Sequence, residues 1–355
     1  MKSTVLAFNK KINELKEHLL FDKKVQRDIA DLLQKQEHVP ESLKKMLRQP
    51  EKKIFDYKLS ILILYGSFEN FVENIIYSYL DKLNCNIERF IDLPKDIIDS
   101  HTDLSAKLLG YMHAGYGKYD QITDEEVVRK LYSCVSNAEK YKLNIIAFTH
   151  HSSNLRIDAV RELFNGIGLK GIDKKIIQEN KFKKSIQLLE EDFREELGQK
   201  ILLEKAFSKI NEIVERRNDI AHGVDDADEN ILSVDVILTY CDYFISLVEA
   251  IYIIVLREYV TLMIQNKSVT VHELGIPIAV YNNSIICLNN KNIQIKNGNC
   301  ITGKNSKDQV RVGQIISLQI EEKQVDYISE KCSVDFGARV DFYASEKDTY
   351  YLIDL

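Results

Sequence analysis

Arg217, Asn218 and His222 lie within Arg216-Arg217-Asn218-Asp219-Ile220-Ala221-His222-Gly223, and these residue types can cleave a phosphodiester without a metal. An imidazole exchanges protons near neutral pH, so it can take the proton of a 2′-hydroxyl or give one to a leaving 5′-oxygen. A guanidinium stays charged and presents a planar fork of donors to the charge that builds on a phosphorane. Asn218 and His222 are four residues apart and share a helix face, which lets the amide orient the ring. Arg217 lies off that face but is long enough to swing toward it, and Asp219 completes the polar run as a supporting residue. Gly223 supplies the left-handed residue that closes a helix, so His222 falls in the last turn. The negative end of the helix dipole there favours an imidazolium.

One histidine per chain does not easily serve as both base and acid. Two copies of the helix end, facing each other across a two-fold axis, would supply two His and two Arg to one cleft, so a homodimer is expected. The competing reading makes His222 a surface residue and pairs Arg216 and Arg217 with acids such as Glu212 and Glu215. No acidic cluster with metal-ligand spacing stands out, and no metal or cofactor is expected. The six cysteines, Cys85, Cys134, Cys241, Cys287, Cys300 and Cys332, form no CxxC pair and read as reduced thiols.

Other residues frame this centre. Glu69 and Glu73 interrupt an otherwise apolar helix on one face, a placement that suits a polar role near a site. Lys181, Lys183 and Lys184 are the candidate contacts to RNA phosphates, in a lysine-rich stretch read as an exposed linker. His150 and His151 follow the apolar NIIAFT and read as a partly exposed loop pair. Tyr116, Tyr119, Tyr350 and Tyr351 offer rings on which bases can stack, although packing explains most tyrosines.

Helical periodicity runs from residue 3 to about 265. Residues 1–51 form an N-terminal helical extension, locally basic, with a short helix opening at Pro40-Glu41-Ser42. A long helix over about 54–83 contains LSILILYGSFENFVENIIYSYLDKL and should cross the core. Weaker helical signals and loops fill 96–145. A helix over about 154–164 begins at Ser152-Ser153-Asn154, read as its cap, and two helical segments fill 186–222. A last long helix spans about 233–264, with Val236, Tyr240, Phe244, Leu247, Ile251 and Leu256 as core positions. After Lys267 the period shortens to that of strands: SVTVHEL, IPIAVY, SIICL, IQIK, VRVGQIISLQI, CSVDF, ARVDFYA and TYYLIDL. The fold class is therefore mainly α, a helical bundle over 52–266 followed by a small all-β barrel or sandwich over 267–355.

The net charge of −6 argues against a protein coated in nucleic acid over its whole surface, but leaves room for a local basic cleft. The first residues are charged and lack the apolar stretch of a signal peptide. The run from Ala250 to Leu256 is too short to span a bilayer. A cytoplasmic protein with no membrane contact is expected.

Three stretches carry a family resemblance: LYGSFENFVENI, NLRIDAVRELFNGIGL and RRNDIAHG. On these, residues about 52–265 resemble the HEPN superfamily of helical ribonucleases and nucleotide-binding domains. They are most similar to its prokaryotic RiboL-PSP-HEPN-type branch, whose members accompany toxin–antitoxin and phage-defence systems. The last stretch matches the Arg-(four to six residues)-His signature, with a polar residue after the Arg. The resemblance implies Arg217, Asn218 and His222 as the functional positions of a composite, metal-independent endoribonuclease site in a dimer, and Glu69 as a supporting partner of Arg217. Members regulated by a nucleotidyltransferase antitoxin often carry a Tyr two residues after the His; Val224 stands there, which argues against modification at this motif. The leading expectation is thus a toxin-like endoribonuclease with an antitoxin or sensor protein as partner. Its rivals are a non-catalytic HEPN module that binds RNA, a nucleotide or a protein, and a dimerisation scaffold.

Overall fold

The computed structural model of the protein describes residues 1–35, 40–47, 50–114, 119–136, 140–151, 154–189, 199–223, 230–290, 292–306, 310–331 and 333–354. Ser152, Ser153, Val224, Tyr116 and Cys332 lie outside the described residues. The chain forms two compact units, residues 1–82 with 93–252 and residues 83–92 with 253–355.

The first unit is built around two helices, α3 (Pro50–Asn86) and α11 (Val234–Gln265). Tyr57, Ile61, Leu64, Phe68, Phe71, Val72, Ile75 and Tyr79 of α3 are buried, as are Ile237, Tyr240, Phe244, Leu247, Val248 and Ile251 of α11. The named positions form one stripe, roughly 100° wide, along each helix, the face that an amphipathic helix turns to a core. Phe68 and Phe244 meet edge to face with centroids 5.3 Å apart, an arrangement favoured by the ring quadrupoles. A stretch of α3 is long and apolar enough to cross a membrane by length and composition, but more than half of that window is buried in the protein. Val236, expected in the core, is exposed because it lies in the first turn of α11, ahead of the packed segment.

Helix α1 (Lys2–Gln34) buries Val5, Phe8, Ile12, Leu15 and Leu19 at i, i+3, i+4 spacing, and its Phe8 ring meets Phe71 at 5.9 Å. Two of its lysines pair with acids of α11: Lys16 reaches Asp242 at 2.5 Å and Lys23 bonds Asp235. It therefore packs as part of the helical unit. After α2 (Glu41–Leu47) and α3 come α4 (Lys95–His113), α5 (Asp124–Val135), α6 (Ile145–Thr149) and α7 (Ile157–Gly166). Helix α7 starts with Arg156 at its N-cap and no capping side chain. The lysine-rich stretch expected as a loop folds instead as α8 (Ile172–Ile176) and α9 (Asn180–Leu189). Ile172 and Ile176, then Phe182 and Ile186, form buried i, i+4 pairs that anchor both. Helix α10 (Gln199–His222) is closed by Gly223 at φ +66°, as its position required.

A buried polar cluster sits where α4 meets the approach to α6. His101 is fully buried, and its Nε2 accepts the Asn144 N–H at 3.0 Å, which places the ring proton on Nδ1. The Asn144 amide donates to Ser105 Oγ and to the Val127 carbonyl, each at 3.0 Å. Burial pushes the His101 imidazole down to about 4. Unfolding returns it to about 6.5, so between these values the unfolded chain binds the extra proton. Stability present above pH of about 6.5 is therefore lost as pH falls toward about 4, by up to roughly 3 kcal/mol. Urea titrations at pH 7 and pH 4.5 should show a larger loss for the wild type than for His101→Gln; equal losses would refute the assignment.

The second unit carries the strands, together with the ends of α3 and α11. They are β1 (Thr270–Gly275), β2 (Ala279–Tyr281), β3 (Ile285–Asn289), β4 (Ile295–Lys296), β5 (Cys300–Lys304), β6 (Val310–Ile320), β7 (Lys323–Val325), β8 (Tyr327–Ile328), β9 (Asp335–Val340) and β10 (Thr349–Asp354). The main sheet is antiparallel in the order β1-β10-β5-β6-β9-β3-β2, with β7 also on β6, and β4 pairs β8. The barrel expected as one option is not closed, because β1 and β2 end the order unpaired with each other. Strand β6 serves two neighbourhoods: residues 310–314 pair with β5, and residues 315–320 with β9 and β7. Just past the changeover, the β6–β9 ladder has a register shift between Ile315 and Ser317, and such a bulge bends a strand. At Gly313 a Cβ would lie 2.0 Å from Asp341 Oδ1, the oxygen that accepts the Gln314 N–H at 2.7 Å. Leu274, Ile286, Leu288, Ile301, Leu318, Phe336 and Tyr350 fill the core beneath the sheet.

Candidate active site

The polar side chains of α3 carry the site. Tyr65, Glu69 and Glu73 recur every four residues along one stripe of an otherwise apolar helix. The Tyr65 hydroxyl donates to Glu69 Oε1 at 2.9 Å, accepts the Leu155 N–H at 3.3 Å and lies 3.3 Å from Asn154 Oδ1. Burial, with Glu69 alongside, pushes the phenol up to about 12, so it stays protonated at neutral pH and acts as a fixed donor. His151 Nε2 lies 3.1 Å from Glu73 Oε1 and 3.8 Å from Glu69 Oε1.

Helix α10 meets this stripe at its C-terminal end. Asn154 Nδ2 donates to Asn218 Oδ1 at 2.9 Å, and Arg217 NH1 donates to the same oxygen at 3.2 Å. The Arg217 guanidinium lies over the Tyr65 ring, 5.2 Å from its centroid, a cation–π placement that holds the fork without consuming its charge. Glu73, His151, Glu69, Tyr65, Asn154, Asn218 and Arg217 thus form one connected polar set drawn from α3, the segment before α7, and α10.

The two adjacent arginines have opposite fates. Arg216 is committed, with NE to Glu212 Oε1 at 2.9 Å and NH1 to the Tyr57 hydroxyl and the Asn230 carbonyl, both at 2.9 Å. Glu215 is taken by Arg156 at 3.0 Å. Arg217 pairs with no carboxylate among the described residues. The competing pairing therefore holds for Arg216 and not for Arg217.

The remaining expected residues are placed as follows. His222 is exposed at the end of α10 and makes no hydrogen bond with another described residue. Asn218 turns its oxygen to Asn154 and Arg217, so it does not orient the His222 ring as its spacing suggested. Glu69, expected as a supporting partner of Arg217, reaches it through Tyr65. Asp219 is exposed and contacts no other described residue by hydrogen bond or ion pair. Lys181 is paired with Glu249 of α11 at 3.0 Å; Lys183 is half-buried and Lys184 exposed on α9. His151, read as a loop residue, is mostly buried and belongs to the polar set.

Metal-ligating types come together elsewhere. His18 and Asp22 of α1 and Asp56 of α3 have ligand atoms within 4.8 Å of one another, a grouping that spacing along the chain did not reveal. Lys52 Nζ bonds Asp56 at 2.6 Å and also Asp22, so a side-chain cation already occupies the centre. The described cysteines are free. Burial pushes the thiols of Cys134 up to about 11 and of Cys241 and Cys300 up to about 12, which keeps them unreactive.

A model of the RiboL-PSP-HEPN family matches residues 23–257, from within α1 to within α11. No curated protein and no solved structure matches the chain.

Proposed function

Because the chain belongs to the RiboL-PSP-HEPN family, we propose that it is a metal-independent endoribonuclease of toxin or phage-defence type, acting in the cytoplasm. The observation that carries this reading is Arg217: a guanidinium held by a ring and an amide, with no carboxylate to neutralise it among the described residues. In the reaction, the 2′-oxygen attacks the adjacent phosphorus as a base removes its proton. The P–O5′ bond breaks and an acid protonates the leaving 5′-oxygen, giving a 2′,3′-cyclic phosphate and a 5′-hydroxyl end. His222 supplies the proton-transfer group, Arg217 stabilises the equatorial oxygens, and Asn218 keeps Arg217 in place. Lys181, Lys183 and Lys184 are further phosphate contacts, with Asp219 and Glu69 in support.

The site needs a second imidazole, and α3 offers a surface on which a second copy can dock. Phe55, Leu59 and Leu62 are 65%, 37% and 43% exposed. Their spacing continues through Gly66 to Glu69 and Glu73, the alternating four-and-three pattern of packed helices. A homodimer formed on this stripe would put the two polar sets side by side. The double variant Leu59→Arg/Leu62→Arg should sediment as a monomer and lose cleavage; a dimer with full activity would remove this surface from the reading. An antitoxin or sensor protein is the further partner proposed.

The test is incubation of the full chain with bulk RNA in EDTA, with the product ends identified by mass spectrometry. Cyclic phosphate and 5′-hydroxyl ends support the nuclease. One observation favours a second reading, a non-catalytic HEPN module binding RNA, a nucleotide or a protein: no described residue orients His222. RNA left intact but bound would select it.

A further inference from the structure

We propose that the cleft between α4, α6 and α7 is a base-reading subsite of the same nuclease, and that the base it takes is guanine; this rests on the reading of Arg217 and His222 above. The cleft holds about 490 Å³, and its lining includes Leu104, Leu108, Phe148 and Leu163. On one wall the Tyr111 and His150 rings stack, with centroids 3.7 Å apart and planes at 27°. Apolar side chains with aromatic rings beside them offer a surface on which a nucleobase can stack.

The carboxylates of the lining determine which base. Asp99 of α4 and Glu162 of α7 line the cleft, are exposed, and make no ion pair or hydrogen bond with another described residue. Asp103, also in the lining, is held by Lys107 at 2.7 Å. Carboxylates repel phosphate, so the group that enters is neutral and rich in N–H donors. Guanine presents two adjacent donors, N1–H and the 2-amino group, to both oxygens of one carboxylate. Adenine and cytosine set a ring acceptor beside their amino group, and uracil offers a single N–H between two carbonyls. A carboxylate that reads the base edge therefore selects guanine.

The cleft is joined to the scissile site. His151 lines it, and the same His151 contacts Glu73 and Glu69, Glu69 takes the Tyr65 hydroxyl, and Arg217 lies on Tyr65.

The experiment is calorimetric titration of the full chain with guanosine, adenosine, cytidine and uridine, which carry no phosphate, together with mapping of cut sites in a randomised RNA. Guanosine should bind at least about tenfold more tightly than the other three, and cuts should fall beside guanine. Glu162→Gln and Asp99→Asn, both conservative surface changes, should together lower guanosine affinity about tenfold and erase the sequence preference while cleavage continues. Arg217→Ala should leave guanosine binding unchanged. Cleavage without base preference in the wild type, or a preference unaltered in the double variant, overturns the subsite and leaves the nuclease standing. Guanosine binding in a protein that never cuts RNA does the reverse.

Discussion

Under the proposed function, replacing Arg217 by Ala should lower the rate of RNA cleavage by about 10²–10³, and His222→Ala should lower it by about 10²–10⁴. The first figure is the cost of removing one fixed donor to charge that develops in the transition state, the second that of losing a positioned proton-transfer group. Arg217→Lys should recover little, because an ammonium cannot both lie flat on the Tyr65 ring and offer a planar fork to phosphate. The adjacent Arg216→Ala is the informative control. Its guanidinium ties Glu212, Tyr57 and Asn230 together, so its loss should lower stability by about 1–3 kcal/mol through buried partners left unsatisfied. Single-turnover rates and urea midpoints on the same four proteins separate the two roles. Cleavage that survives Arg217→Ala with an unchanged rate would end the catalytic assignment.

Phe244→Ala should destabilise the helical unit by about 3–5 kcal/mol, the range for emptying a large aromatic site in a packed core. Phe244 is wholly buried and meets Phe68 at 5.3 Å and Tyr243 at 5.4 Å, edge to face in both cases. Two long helices hold the cavity walls, so the void has little freedom to collapse, which places the cost in the upper part of that range. Phe68 follows Tyr65 by one turn on α3, so the same change should loosen the hydroxyl that fixes Glu69 and Leu155. A fall in chemical denaturation midpoint with unchanged slope is the expected readout; a loss under about 1 kcal/mol would mean that the two rings are not the joint they form in this fold.

The helical elements were legible because burial writes its period into the chain: the long apolar stretches of α3 and α11 and the spaced apolar residues of α1 sufficed. The lysine-rich stretch misled because charge dominates its composition, while the apolar signal is one buried pair in each helix, Ile172/Ile176 and Phe182/Ile186. Strand β5 was hidden for a different reason. It lies between β10 and β6, and Cys300 to Gly303 are all buried, so it has no alternation to read. At the candidate site, the motif singled out Arg217 and His222 as expectations, and the four-residue spacing of Glu69 and Glu73 hinted at a polar stripe. Which arginine would be free was not legible, since Arg216 is claimed by Tyr57, 159 positions away in the chain. Nor was the route through Tyr65, because a tyrosine in an apolar helix reads as packing until its hydroxyl partners are known.

Strand β6 gives the strand-bearing unit a particular unfolding behaviour. One continuous backbone is hydrogen-bonded to β5 in its first half and to β9 and β7 in its second, so neither neighbourhood can melt and leave the other a complete edge. Amide hydrogens along β6 should therefore exchange only in the rarest, whole-unit openings, while those of β2 fray early. Slow-exchanging amides at its two ends would mark a single cooperative block, despite the bend between them.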